Sequence, residues 1–292
     1  MLTGIAGYVM LPVWVKNIQP SGLLPLDIAT WRFLFAMPVM WLILLALRTP
    51  PSDKPLPIRG LLGLGLLLAV SAVALFFGLE RIPASTYILL FYTYPGMVAL
   101  INFALGERMP LQSWLALVVT LTGVALTVPD FGVGLQGDVL AGVLIAFVNA
   151  FSVAIYFILI NRWMRGHTSM RRASAWAITG AFLTMLVVLG VRGGVTVPPD
   201  TKTWVLLLLM ALVSTVMPIF MFMNGIQRLG SSRAAIFSTV EPIGTMTVAA
   251  LLLGETIQPI QLLGGAFILI SILLLQVPLR RPAAVPAPSG GD

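Results

Sequence analysis

The hydrophobic positions of this chain form ten long apolar stretches, separated by short breaks that carry charged residues or proline and glycine. Each stretch is close to the roughly 20 residues that an α-helix needs to cross a bilayer core. Runs such as 61–68 and 205–212 show no alternation of apolar and polar residues, which excludes barrel strands. The pattern predicts ten transmembrane spans, numbered 1 to 10, at about 2–18, 24–47, 58–79, 84–105, 110–128, 138–162, 172–192, 202–224, 231–253 and 258–277.

Composition agrees with a chain whose solvent is the bilayer. Hydrophobic residues make up 59% of the chain and charged residues 9%, with a mean hydropathy of +1.01. A water-soluble globule carries far more charge than this. Because a backbone in lipid must satisfy its own hydrogen bonds, the apolar stretches are predicted to be helices. The fold class is therefore an all-α polytopic membrane protein, followed by a disordered cytoplasmic tail at 278–292.

The net charge of +7 comes from basic residues in the connections between spans, rather than from a basic soluble face. We therefore predict no nucleic-acid partner. With both termini in the cytoplasm, the inner connections and the tail hold twelve Lys and Arg residues, and the outer connections hold four. This bias predicts cytoplasmic termini for a multi-pass protein of the bacterial inner membrane. Its expected partners are a small-molecule substrate and the lipid bilayer, and the chain is compatible with a monomer or a homodimer.

Catalytic chemistry has little support in the sequence. The chain has no cysteine, and its single histidine, His167, lies in a basic connection where we interpret it as a solvated loop residue. Metal sites usually need several ligands together, so no metal and no cofactor are predicted. No H-E-x-x-H, G-x-S-x-G or nucleotide-binding motif is present, which argues against an enzyme and against direct use of ATP.

An internal repeat relates the two halves of the chain. Segment 78–95 matches segment 225–242 at a constant offset of 147, sharing a Gly-x-x-Arg motif, a serine and a proline. After one added residue, Gly106-Glu107 matches Gly254-Glu255. Since each half holds an odd number of spans, the two copies insert with opposite orientation, as an inverted repeat. The predicted units are two five-helix repeats, 1–136 and 137–277.

These motifs resemble the EamA-type transporters of the drug/metabolite transporter superfamily, along essentially the whole chain. The resemblance is closest to the ten-helix amino-acid and metabolite exporters, with the YddG-type aromatic amino-acid exporters nearest. It implies a cavity lined by spans 1 to 4 and 6 to 9, and export of small metabolites, including amino acids, by alternating access. A channel, or a multidrug or organic-cation exporter of the same fold, is the alternative. Smaller relatives exchange protons through a glutamate in the first helix, but span 1 contains no acidic residue.

Glu241 is the acidic residue nearest the middle of a span, where a carboxylate facing lipid would cost about 3 kcal/mol. It is equally compatible with a substrate-ammonium or proton site and with a structural role. The repeat offset pairs Tyr94 with Glu241, and helical spacing adds Phe91 and Tyr87 to the same stripe, with Ser238 as the counterpart of Phe91. Such a stripe would suit planar or cationic solutes, and ordinary helix packing or anchoring at the membrane interface is the alternative.

Arg32, in span 2, has two interpretations. It can bind a carboxylate, but the sequence favours a structural role, in which its side chain reaches toward the outer surface or pairs with Asp27. Weaker candidates for the cavity, each equally compatible with helix packing, are Asn149, Trp176 and Asn224. Helix kinks are predicted at Pro12, Pro38, Pro95, Pro218 and Pro242.

Overall fold

The computed structural model describes residues 2–47, 54–106, 109–127, 137–165, 167, 169–221 and 240–276. Two predicted cavity residues, Ser238 and Asn224, and the tail at 278–292 lie outside the described residues. All regular secondary structure in the described part is helical. The α-helices are α1 (Leu2–Val9), α2 (Leu11–Ile18), α3 (Pro25–Ala46), α4 (Ile58–Arg81), α5 (Ala84–Phe91), α6 (Tyr94–Ala104), α7 (Leu111–Thr127), α8 (Gly137–Trp163), α9 (Met170–Arg192), α10 (Thr201–Ala211), α11 (Val240–Leu253) and α12 (Pro259–Gln276).

The helix lengths support a polytopic membrane protein. Within the described ranges, seven helical segments are long and apolar enough to cross a bilayer. They include α3, α4, α8, α9 and α12, together with two segments that contain a break or an irregular turn, 84–104 and 201–221. Two further apolar helices, α7 and α11, are shorter in the described part. The predicted all-helical polytopic class is therefore confirmed.

Two spans that were predicted as single helices are divided in the structure. α1 and α2 are separated at Met10, and α5 and α6 at Tyr92 and Thr93. Pro12 and Pro95 lie in the first turn of the helix that follows each break. A proline has no N–H to donate to the preceding turn but fits the start of a new helix, where that donor is unused. By contrast, α3 continues unbroken through Pro38.

The helix that begins with α10 changes its winding halfway along. Residues Leu212–Val216 form a π-helical turn, and the helix then continues to Met221. Pro218 follows this turn, and its missing N–H leaves the carbonyl of Ser214 without its usual helical partner. π-Helical turns are frequent at functional sites. At the start of α10, the backbone N–H of Thr203 donates to the Asp200 carboxylate and lowers the pKa of that side chain.

Pairs of glycines bring helix backbones into direct contact. On α4, a Cβ at Gly65 would lie 2.2 Å from the backbone nitrogen of Ala181 on α9. On α9, a Cβ at Gly180 would lie 2.1 Å from the carbonyl oxygen of Leu62. α7 and α12 meet in the same way, because a Cβ at Gly123 would lie 2.7 Å from a backbone oxygen of α12. Small residues allow this approach between membrane helices.

The repeated motif forms a contact between the two halves of the chain. Glu255, after α11, accepts hydrogen bonds from the backbone N–H groups of Ala84 (2.7 Å) and Ser85 (3.0 Å) and from the Ser85 hydroxyl (2.7 Å). The motif serine of the first half thus meets the Gly-Glu pair of the second. Gly254 and its counterpart Gly106 both have positive φ, at 67° and 93°, a conformation that glycine adopts without strain.

Candidate functional site

A cavity of about 310 Å³ lies among α1, α2, α3, α4, α5, α6, α8, α9, α11 and the helix that contains the π-helical turn. Its wall is largely apolar, with a few polar groups directed to one space, which is typical of a site for a small molecule. The chain contains five tyrosines, and all five line this cavity. They are Tyr8, Tyr87, Tyr92, Tyr94 and Tyr156.

The structure brings most of the predicted site residues to this cavity. Those on its wall are Tyr87, Phe91, Tyr94, Asn149, Arg32 and Glu241. Sequence reasoning did not select several others, and these are Tyr8, Tyr92, Tyr156, Phe157, Ser71, Ser174 and Thr215. One signal could have found three of them. Tyrosine is scarce in this chain, and its hydroxyl needs a polar partner inside a bilayer, so every tyrosine within a span is a cavity candidate.

Trp176 is absent from the cavity wall as the structure describes it. Its ring packs edge to face on Trp41, with the centroids 5.1 Å apart. The indole N–H of Trp41 donates to the Thr179 hydroxyl at 2.9 Å, which ties α3 to α9. These contacts support the alternative that Trp176 stabilises helix packing.

Glu241 is partly buried among phenol groups. The Tyr92 hydroxyl hydrogen-bonds to its carboxylate, and Tyr8 and Tyr94 lie close enough to interact with it electrostatically. Among the described side chains, no Lys or Arg comes within ion-pair distance of Glu241. The described structure thus surrounds this carboxylate with phenol groups, one of which hydrogen-bonds to it, and with no basic side chain.

The aromatic side chains form one continuous wall from α5 and α6 to α8. Tyr94 stacks on Phe157 with a centroid distance of 5.5 Å and an interplanar angle of 19°. Phe91 lies 5.4 Å from Tyr94 and 5.7 Å from Tyr92, and Phe157 lies 5.8 Å from Tyr156. Planar groups and cations both bind favourably to such ring faces.

A chain of polar contacts fixes another part of the wall. The side-chain amide of Asn149 donates to the Tyr87 hydroxyl at 2.7 Å, and the Ser71 hydroxyl donates to the Asn149 carbonyl at 2.5 Å. The Tyr87 ring fits against α4 because residue 78 is glycine, where a Cβ would lie 2.1 Å from the ring. These bonds connect α4, α5 and α8, so Asn149 contributes to helix packing and holds the Tyr87 hydroxyl.

Arg32 does not pair with Asp27, and that part of the structural interpretation is wrong. The Asp27 carboxylate binds Arg192 on α9 at 2.8 Å. Five helical positions separate Asp27 from Arg32, which turns the two side chains about 140° apart around α3. Arg32 is 8% exposed and lines the cavity, where its Nε donates to the Thr215 hydroxyl at 2.8 Å.

Comparisons with known proteins identify a family whose profile matches this chain. The profile of the EamA-like transporter family matches residues 1–128 and 140–277. The uncharacterized transporter YcbK of Bacillus subtilis is 27% identical over 282 residues, which cover 93% of this chain and 90% of that one. An uncharacterized transporter of Archaeoglobus fulgidus is 26% identical over 230 residues, covering 76% and 78%. A crystal structure that covers 94% of both chains has a TM-score of 0.61 at 19% identity, which shows a shared fold alone.

Proposed function

Because this chain belongs to the EamA-like transporter family, we propose that it is a secondary transporter that exports small metabolites across a bacterial inner membrane by alternating access. Amino acids, including aromatic ones, and related compounds are the proposed solutes. The observation that carries this proposal is the cavity, which combines an aromatic wall with one carboxylate and one guanidinium. These are the groups that suit an amphipathic solute carrying both charges. All of them come from one chain, so a single copy is sufficient to form the site.

The proposal includes ten spans arranged as two inverted halves, 1–136 and 137–277. Helix contacts support it, because a contact between two spans recurs between the two spans that lie five positions away in the chain. The contact of α4 with α8 (spans 3 and 6) corresponds to that of α10 with α2 (spans 8 and 1). The contact of α4 with α9 (spans 3 and 7) corresponds to that of α10 with α3 (spans 8 and 2). Likewise α1 packs on α11, and α6 packs on α8. A pseudo-two-fold axis through the cavity would produce these matched pairs.

The proposed orientation has both termini in the cytoplasm, on the side that carries twelve of the basic residues. A tag after residue 277 and a label in the 163–171 connection should both be inaccessible to impermeant reagents outside the cell. Labelling of either site from outside would contradict the orientation and the span count together.

Reconstitution in liposomes tests the transport mode directly. Uptake of amino acids and organic cations should saturate with concentration and show counterflow, because alternating access binds one solute in each cycle. A channel of the same fold would show neither property. A preference for bulky cations over amino acids would favour the organic-cation exporter instead.

The aromatic wall predicts selectivity for planar solutes. Phe91→Ala and Tyr94→Ala should each lower transport of aromatic amino acids about twofold to tenfold, since a ring contact contributes about 0.5–1.5 kcal/mol. Transport of alanine or serine should change much less. Phe103→Ala is the matched control, because Phe103 is 46% exposed and packs on Trp114 outside the cavity wall. Equal loss for both solute classes would assign the two rings to packing.

A further inference from the structure

Arg32 is held in place by the π-helical turn. Besides the bond from its Nε to the Thr215 hydroxyl, a terminal nitrogen of its guanidinium donates to the Ser214 carbonyl at 3.4 Å. That carbonyl is available because Pro218, four residues later, has no N–H. The Ser214 hydroxyl donates to the Gly7 carbonyl at 2.5 Å and accepts from the indole of Trp14 at 3.1 Å. The Ser214 hydroxyl therefore ties the turn to α1 and α2, and the turn holds the guanidinium of Arg32.

Within the described residues, the guanidinium of Arg32 has no carboxylate partner. No acidic side chain in the described part of the chain lies within ion-pair distance of it, and Asp27, the nearest one in sequence, is neutralised by Arg192. Phe33 and Phe76 each place a ring 5.8 Å from the guanidinium carbon, which stabilises a cation without neutralising it. A buried cation is costly, and it strongly attracts an anion that reaches the same space.

The geometry of Arg32 suits a carboxylate. Its two contacts with Thr215 and Ser214 are to neutral oxygens and use only part of the N–H groups that a guanidinium carries. Guanidinium donors form a planar fork that matches the two oxygens of a carboxylate. Since Arg32 is on the cavity wall, a solute in the cavity can reach these donors.

We propose that Arg32, oriented by the π-helical turn, is the site that recognises the carboxylate of the transported solute. This inference rests on the proposed function and adds to it a requirement for the substrate. Tyr8, Arg32 and Glu241 line the same cavity, and Tyr8 is close enough to interact electrostatically with both charged side chains. A zwitterion would direct its carboxylate to Arg32 and its ammonium to Glu241 and Tyr92. Amides and decarboxylated amines of the same shape lose the first contact.

The experiment compares matched solutes that differ only at the carboxylate. Uptake of phenylalanine and leucine into proteoliposomes is measured beside uptake of phenylalaninamide and leucinamide, for wild type and for Arg32→Gln and Arg32→Lys. Wild type should prefer each acid at least tenfold. Arg32→Gln should reduce that ratio to near one, and Arg32→Lys should retain part of it, because lysine keeps the charge but not the fork. Arg192→Gln, which removes a guanidinium that is paired outside the cavity, should leave the ratio unchanged.

A ligand-binding measurement separates recognition from folding. Phenylalanine or leucine at saturating concentration should raise the melting temperature of the wild-type protein in detergent, and it should not do so for Arg32→Gln. An unchanged acid-to-amide ratio in Arg32→Gln, or equal uptake of acid and amide by wild type, would overturn the assignment while leaving the transporter itself supported. Failure of every acid, amide and amine to cross with saturation and counterflow would overturn both proposals.

Discussion

Glu241→Gln is expected to lower transport about tenfold or more while the protein inserts and folds normally. Glutamine keeps the shape of the side chain and still accepts a hydrogen bond from Tyr92, but it carries no charge. A hydrogen bond to a charged group is worth about 1.5–3 kcal/mol, which corresponds to about tenfold or more in binding. The charge matters here because the described structure provides Glu241 with phenol partners and no basic one.

Initial uptake rates measured against pH in liposomes decide between the two roles of Glu241. If it binds an ammonium or carries a proton, the glutamine variant should lose transport or lose its dependence on pH. If its role is structural, Glu241→Gln should behave as wild type, whereas Glu241→Leu should be less stable because the hydrogen bond between Tyr92 and residue 241 is lost. A wild-type pH profile from Glu241→Gln would remove this residue from the mechanism.

Gly65→Leu and Gly180→Leu are each expected to prevent folding. A side chain at either position collides with backbone atoms of the opposite helix, at 2.2 Å and 2.1 Å for the Cβ alone. Backbone cannot move aside as a flexible side chain does, so α4 and α9 must separate. The free energy of unfolding should fall by about 3 kcal/mol or more. Both variants should give little monodisperse protein in detergent.

Each of these variants has a matched control on its own helix. At Gly63 on α4 and Gly190 on α9, no atom lies within 4 Å of the position that a Cβ would take, so leucine there points into open space. Gly63→Leu and Gly190→Leu should give normal yield and a melting temperature within a few degrees of wild type, since leucine is also the better helix former. Normal folding of Gly65→Leu would show that α4 and α9 do not need direct backbone contact at this position.

Much of the fold was predictable because helices in lipid follow from local composition. The apolar stretches alone determine where α3, α4, α8, α9 and α12 begin and end, to within a few residues. The division of α1 from α2 and of α5 from α6 was visible only as a predicted kink, since proline shows where a helix is weak and not whether it breaks. α3 contains Pro38 and continues, whereas a new helix, α2, begins one residue before Pro12.

Part of the site was predictable from the internal repeat and from the spacing of residues on a helix. The repeat offset and helical spacing selected Tyr87, Phe91 and Tyr94, and the structure places all three at one cavity. Their role in substrate binding stays a prediction. Arg32 was interpreted from its sequence neighbours, but its partners, Thr215 and Ser214, are 183 and 182 residues away. Contacts between residues so far apart in the sequence depend on how the helices pack, which hydrophobic periodicity does not encode.

The tryptophan contacts along α3 allow intrinsic fluorescence to report conformational change in this protein. Trp31 meets Trp204 at 4.7 Å near the beginning of α3, and Trp41 meets Trp176 at 5.1 Å about 15 Å further along. Both pairs join the two halves of the chain. If the halves rock about the cavity, one pair separates while the other closes. In variants that retain only one of the two tryptophan pairs, the fluorescence of the indoles would then show which end of the cavity is open, without any attached dye.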